Sequence, residues 1–127
     1  MAQRVRVVQQ PSDAVSRQNL AYFPAICERT VGSRGLSMSL VAVPPGAAAE
    51  PHAHDGYETA IYVLEGTVDT RYGDGLTETV RSEAGDFVYI PPGVPHQPVN
   101  ASETEWARAI VARDDANEHE RVVPYAP

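Results

Sequence analysis

The chain has 127 residues, 43% of them hydrophobic, which is enough for one folded domain and excludes the disordered class. Its 17 acidic and 10 basic residues give a net charge of −7 without a basic stripe, so nucleic acid and anionic membranes are expected to be poor partners. The one cysteine excludes an internal disulfide. No signal-like start or membrane-length apolar run is present, and these features together predict a cytoplasmic protein.

The sequence pattern predicts a domain of short β-strands. Eleven prolines and nine glycines interrupt the chain, and no segment keeps a helical period for three turns. Alternating or continuous apolar residues predict strands at 4–8, 36–43, 59–64, 67–72, 87–90 and 106–112. A hairpin turn is predicted at 73–75. Residues 9–20 and 113–127 are predicted to be loops or arms around a barrel core at about 34–113. This spacing favours an all-β sandwich or barrel.

Alternation within these strands also predicts which side chains face the interior. We expect an apolar interior lined by Met38, Leu40, Tyr62, Val88 and Ile90. Such a pocket suits a small, partly apolar ligand. On the last strand Arg108 alternates with Trp106 and Ile110, and the sequence leaves open whether it points inward as an anion clamp or outward to solvent.

Four side chains in two sequence blocks could ligate a metal ion. His52 and His54 lie two residues apart and so face the same way in a strand, and Glu58 follows a bend. A rigid turn at 91–95 precedes His96. Three imidazoles and a carboxylate suit one divalent Mn, Fe, Ni, Cu or Zn ion. Because free imidazole titrates near pH 6.5, metal affinity is expected to fall below about pH 6. The competing interpretation is that His52 and His54 are exposed loop residues and that Glu58 is a surface carboxylate.

The two blocks resemble the two motifs of the cupin superfamily. The first motif is a glycine, five residues, His-x-His, three or four residues, a glutamate, six residues and a glycine. It matches here at Gly46, His52, His54 and Glu58, but seven residues separate Glu58 from Gly66. The second motif is matched at every position, by Gly85, Pro91, Gly93, His96 and Asn100. The resemblance implies a single cupin domain over 1–127, folded as a double-stranded β-helix, or jelly-roll barrel.

The resemblance to small, quercetinase-like cupins also implies a function. It implies a metal-dependent oxygenase in which His52, His54, Glu58 and His96 bind the ion and Glu58 takes part in catalysis. The substrate is expected to be a small organic molecule held inside the barrel. Two other classes remain open: a non-catalytic module that binds a metal or a small molecule, and a cupin isomerase, lyase or decarboxylase.

Two further expectations concern the edges of the barrel. The segments 4–8 and 121–125 have no obvious place in a minimal barrel and are apolar enough to cross onto a neighbour. Small cupins commonly pair in this way, so we expect a homodimer. Asn100 is expected to satisfy backbone groups of the turn before His96 and to orient that ring.

Overall fold

The computed structural model describes residues 4–12, 14–17, 20–117 and 122–127. Within these ranges the chain forms strands, one short helix and one 3-10 turn. The strands are β1 (Val15–Arg17), β2 (Leu20–Ile26), β3 (Ser37–Val43), β4 (His52–His54), β5 (Thr59–Glu65), β6 (Thr67–Tyr72), β7 (Glu78–Glu83), β8 (Phe87–Ile90), β9 (His96–Asn100), β10 (Ala107–Arg113) and β11 (Val122–Pro124). The helix α1 spans Glu28–Val31 and the 3-10 turn spans Asp74–Leu76.

The strands form two antiparallel sheets that pack face to face. One has six strands in the order β1-β2-β3-β10-β5-β8, and the other has five in the order β11-β4-β9-β6-β7. The core between them is built chiefly from the six-stranded sheet, and Ala49 before β4 and the partly buried Val68 of β6 pack against it from the other side. The buried members of this core are Leu20, Tyr22, Val41, Val43, Ala49, Ala107, Ala109 and Val111. The predicted all-β jelly-roll is confirmed. No described helix has the length and hydropathy needed to cross a bilayer.

Most of the predicted strands are present, but one is wrong. The predicted strands from 36 to 112 correspond to β3, β5, β6, β8 and β10, and the turn at 73–75 closes the β6–β7 hairpin. Residues 4–8, by contrast, form no strand, and the side chains of Val5 and Val7 are 100% and 85% exposed. Five alternating residues carry too little apolar surface to hold a strand against the barrel.

Six of the strands lie outside the strand ranges predicted from the sequence: β1, β2, β4, β7, β9 and β11. The strand β2 contains Pro24, which sits where the register with β3 shifts, so the proline is accommodated by an irregularity. Pro124 is tolerated because β11 is an edge strand of its sheet. β7 is polar and nearly all exposed, so it carries little apolar signal. The predicted arms at both ends therefore contribute strands to the barrel.

The predicted set of interior residues is correct on β8 but wrong on β3 and β5, where the opposite face of the strand points inward. Val88 and Ile90 line the interior as predicted, whereas Met38, Leu40 and Tyr62 do not. On β3 and β5 the inward residues are their neighbours, such as Val41 and Ile61, Val63. On β3 the buried face carries Ser37 and Ser39 while Met38 is exposed, and β5 carries apolar residues on both faces, so alternation alone does not identify the buried face.

Asn100 connects two loops at the end of the barrel and does not serve the turn before His96. Its Nδ2 donates to the backbone carbonyls of Val43, Pro44 and Glu105 at 2.8–3.2 Å. Its Oδ1 accepts from the backbone N–H of Ser102 at 2.9 Å. The side chain is 3% exposed, so these bonds satisfy an amide that burial would otherwise penalise.

Gly66, between β5 and β6, is the position where a side chain is least tolerated. Its φ is +87°, and an added Cβ would lie 2.7 Å from both the Cα of Ala107 and the carbonyl oxygen of Trp106. We predict that Gly66→Ala lowers the free energy of unfolding by about 2–4 kcal/mol, from backbone strain plus overpacking. Gly73→Ala is the control, since its φ is +83° but nothing lies within 4 Å, and it should cost about 1 kcal/mol. Equal losses in urea denaturation would contradict the close-approach argument.

Candidate metal centre

Three histidines come together where β4 meets β9. His52 and His54 occupy both ends of the three-residue strand β4, and His96 is the first residue of β9. The two strands are antiparallel, with His52 directly opposite His96. The turn before β9 is tied back to β4, because the N–H of Gly93 donates to the carbonyl of His54 at 2.9 Å. The predicted rigid turn thus fixes His96 beside the other two rings.

The three rings form a compact, buried group. Their centroids are 4.4–5.2 Å apart, and one nitrogen from each lies within 4.8 Å of the others. Each side chain is 3% exposed or less. Nitrogens at this spacing could hold a metal ion at their centre, since metal–imidazole bonds are about 2.0–2.1 Å long.

The hydrogen bonds at Nδ1 set the rings for coordination. The Nδ1 atoms of His52 and His96 face the carbonyls of Glu50 at 2.6 Å and Val94 at 2.9 Å. A carbonyl can only accept, so each Nδ1 carries the proton and each Nε2 keeps a lone pair. The Nε2 of His52 is buried and has no hydrogen-bond partner in the described part of the chain. An orphaned lone pair aimed at two other imidazoles fits a transition-metal site.

Burial keeps the imidazoles of His52 and His96 neutral. It is the main cause that lowers the pKa of His96 to about 4, and the neighbouring His52 lowers it further. Burial likewise lowers the pKa of His52 below its ordinary value. Arg113 adds to both shifts, while the carbonyl hydrogen bonds at Nδ1 oppose them. At neutral pH these two rings are therefore ready to donate their lone pairs to a metal ion.

Glu58, the fourth residue of the sequence hypothesis, is not brought to this group. Its side chain is exposed and hydrogen bonds to the hydroxyl of Tyr89, and its backbone N–H donates to Asp114 Oδ1 at 2.8 Å. Counting back from Gly66 with the six-residue spacing of the motif gives Thr59, which is 2% exposed. The one extra residue therefore leaves Glu58 exposed just before β5 and places Thr59 at the position that the motif gives to its glutamate.

Tyr57 is a site residue that sequence reasoning missed. It is 3% exposed and its hydroxyl lies 2.9 Å from Nδ1 of His54. The bend at Gly56, with φ of +79°, returns the chain so that Tyr57 contacts the ring three residues earlier. The signal available in the sequence was a tyrosine directly after an Asp-Gly turn, because a tyrosine that becomes buried usually finds a hydrogen-bond partner for its hydroxyl.

A cavity of about 60 Å³ lies between the sheets, with the histidines His52 and His96 among its lining residues. Most of its wall is apolar and comes from β2, β3, β5, β8 and β10. The inward arginine is Arg113, which is 7% exposed, and not Arg108. Arg108 points outward, where its Nε lies 3.9 Å from Glu65. Arg113 was overlooked because it ends β10, where the sequence analysis had already placed an arm.

Comparison with known proteins identifies the family. The family model described as "Cupin domain" matches residues 39–112, which is more than half of the chain. The chain belongs to the cupin family. A germin-like protein (subfamily T member 3) from Arabidopsis thaliana is 35% identical over 107 residues, covering 80% of this cupin and 44% of the plant protein. This cupin therefore spans less than half of that relative.

Solved structures agree on the fold. Oxalate decarboxylase from Lactobacillus farciminis superposes with a TM-score of 0.76 at 18% identity, over 88% of this cupin and 33% of that chain. The S161A mutant of the Bacillus subtilis oxalate decarboxylase superposes with a TM-score of 0.73 at 24% identity, over 91% of this cupin and 30% of that chain. A recombinant oxalate oxidase superposes with a TM-score of 0.72 at 20% identity, over 92% of this cupin and 62% of that chain. At these identities the likeness shows the jelly-roll fold alone. Family and three-histidine group together indicate a metal-dependent cupin.

Because burial lowers the pKa of His96, we expect metal to be lost at a lower pH than it would be from an exposed imidazole. We predict that metal affinity stays nearly constant from about pH 7 to about pH 5 and falls towards pH 4, where protons begin to compete for His96. The measurement is the apparent dissociation constant of Zn(II), by competition with a chelator whose own pH dependence is known. A tenfold loss of affinity already at about pH 6, the behaviour of an unburied imidazole, would contradict this.

Proposed function

We propose that this cupin is a metal-dependent enzyme of the oxygenase type that acts on a small, partly apolar organic substrate. One observation carries the proposal: three buried histidines converge, and two of them, His52 and His96, line a largely apolar cavity between the sheets. A purely structural histidine cluster would not need a cavity beside it. The cavity gives a substrate somewhere to lie in contact with the site.

His52, His54 and His96 are the residues that would hold the ion. When bound, a divalent Mn, Fe, Ni, Cu or Zn ion would supply Lewis-acid and redox chemistry to the substrate. Three protein ligands leave more coordination positions for small molecules than the four of the sequence hypothesis.

The chain's own residues would prepare and protect this site. Tyr57 and the carbonyls of Glu50 and Val94 hold the three rings through their Nδ1 atoms, which fixes their orientation before metal arrives. The apolar walls from both sheets exclude water from the substrate. These are the conditions that a reactive oxygen chemistry requires.

The related proteins are compatible with more than one reaction. The structural relatives are named oxalate decarboxylase and oxalate oxidase, and one solved structure of the former concerns its Mn(II) centres. Both names point to small organic acids, one by decarboxylation and one by oxidation. A lyase or decarboxylase, and a non-catalytic binding module, are therefore the alternatives that an experiment must separate from an oxygenase.

We predict that His52→Ala and His96→Ala each lower metal affinity by at least about tenfold, since even loss of a supporting hydrogen bond costs that much. Both variants should still fold, because the apolar core does not depend on the ion. Metal is measured by elemental analysis of protein purified without a chelating tag. Glu58→Gln is the control and should retain full metal, because Glu58 is exposed on the outer face. Metal loss in Glu58→Gln alone would overturn the three-histidine site.

The reaction type is tested with the metal-loaded protein under air. Oxygen uptake is recorded with an electrode against flavonols, catechols, diketones and small carboxylic acids, and the His96→Ala variant serves as the inactive control. Oxygen uptake with one of these classes supports the oxygenase. Carbon dioxide release without oxygen uptake would identify a decarboxylase and contradict the oxygenase. Binding without turnover would identify a non-catalytic module.

We also propose a homodimer through the outer face of the six-stranded sheet. Phe87 and Tyr89 on β8 are 82% and 59% exposed, and Phe87 stacks on Tyr62 with ring centroids 4.7 Å apart. Large exposed aromatic groups of this kind mark interaction surfaces, and a twofold dimer would bury the same patch twice. Light scattering at tens of micromolar should give a dimer that Phe87→Arg dissociates. Val80→Arg, on the exposed side of the other sheet, should leave it intact. A monomeric wild type would contradict the proposal.

A further inference from the structure

Two short strands, β4 and β11, form one side of the three-histidine group. β4 is three residues long, and it pairs with β11 at three register positions but with β9 at a single one. Each of the three rings is 3% exposed or less, so we expect a bound ion to leave only when β4 moves away from β9. Because its pairing with β11 is the more extensive one, β4 should move together with β11.

A hydrogen bond of Tyr125 ties these two strands to another part of the barrel. The hydroxyl of Tyr125, which directly follows β11, accepts from the backbone N–H of Gly75 at 2.7 Å. The N–H of Tyr125 donates to the carbonyl of Pro51 at 3.1 Å, so the same residue is also bonded to the segment before β4. Tyr125 thus joins the β4–β11 pair to the turn at 73–76. Movement of β4 and β11 away from β9 breaks the bond to Gly75.

The turn at 73–76 is itself fixed beside the segment that leads to His96. The N–H of Gly73 donates to the carbonyl of Pro95 at 3.0 Å. Leu76 anchors the turn, since its side chain is 2% exposed. Its φ is +54°, a left-handed conformation that persists in a leucine only where the surrounding structure imposes it. The turn is therefore a rigid support, and Tyr125 connects β4 to it.

We infer that Tyr125 is a positioning residue of the metal centre, whose hydrogen bond to Gly75 holds β4 against β9 and limits how fast a metal ion leaves the three-histidine group. Tyr125 acts through the backbone of β11 and β4. Loss of its bond raises the population of the open arrangement, and release of metal rises in proportion. An ion that binds the closed arrangement in turn opposes opening. The inference rests on the proposed function for the presence of metal and names what controls its exchange.

The first test measures the release of Zn(II) from the loaded protein into an excess of chelator. Tyr125→Phe deletes the hydroxyl alone, so it should fold and should release Zn(II) about three- to tenfold faster, the range expected for one lost hydrogen bond. The control is Ser102→Ala, whose hydroxyl likewise accepts from backbone N–H groups, at 3.0–3.1 Å, but in the loop at the far end of β9 from His96. Ser102→Ala should release Zn(II) at the wild-type rate even if thermal melting shows an equal loss of stability.

Amide hydrogen exchange gives a readout that a merely structural residue would not change. The N–H groups of Gly75 and Gly93 bond to Tyr125 and to the carbonyl of His54, so both bonds break when β4 and β11 move away. Zn(II) at about a hundred times its dissociation constant should slow both exchanges at least about tenfold, because the ion opposes opening. The N–H of Gly85, bonded to a carbonyl of β5 at 2.9 Å, is the control and should exchange at the same rate with and without metal.

Two results would overturn the inference: release of Zn(II) from Tyr125→Phe that is no faster than from Ser102→Ala, or exchange at Gly75 and Gly93 that metal does not slow. Either result together with turnover would leave the proposed enzyme intact. The expected release and exchange without any turnover would keep the positioning role of Tyr125 and reject the enzyme. A wild-type protein that binds no metal would overturn both.

Discussion

The site depends on the antiparallel pairing of β4 with β9. Strand β4 has only three residues, and a single register position with β9 puts His52 opposite His96. Such a short pairing is weak by itself, since a few backbone bonds do not hold a strand in water. β11 supplies the missing support, because it pairs along the other edge of β4 at all three positions. A segment near the end of the chain thus stabilises the strand that carries two of the three histidines.

The histidine group also costs stability, which the rest of the barrel must offset. A buried polar nitrogen without a hydrogen-bond partner, as at His52 Nε2, costs about 1–3 kcal/mol relative to a satisfied one. The carbonyls of Glu50 and Val94 satisfy the Nδ1 atoms of His52 and His96, so those nitrogens carry no such cost. The cost remains at Nε2 of His52. This arrangement resembles other functional sites, where a local cost is tolerated because ligand binding relieves it.

Much of the fold and most of the candidate site could be predicted from the sequence, for identifiable reasons. His52 and His54 follow the two-residue period of a strand, and the proline-rich turn before His96 restricts the backbone enough to be recognised. Where a strand is apolar on both faces, as in β5, the sequence does not decide which face is buried, and the register of neighbouring strands does. Glu58 shows a related limit, because one extra residue before Gly66 leaves it exposed ahead of β5. Arg113 was missed because burial of a charge is a property of the assembled sheets.

The displacement of Glu58 changes where negative charge near the histidines comes from. In a site of three imidazoles and a glutamate, the protein supplies one negative charge to a divalent ion. Here the inward position holds the neutral Thr59, and the neighbouring strand adds the cation of Arg113 instead. The group that the described residues bring together contains three imidazoles and no carboxylate, and an imidazole ligand donates a lone pair without a negative charge. One extra residue before Gly66 is therefore enough to change the charge that the protein would offer an ion, without moving any of the three histidines.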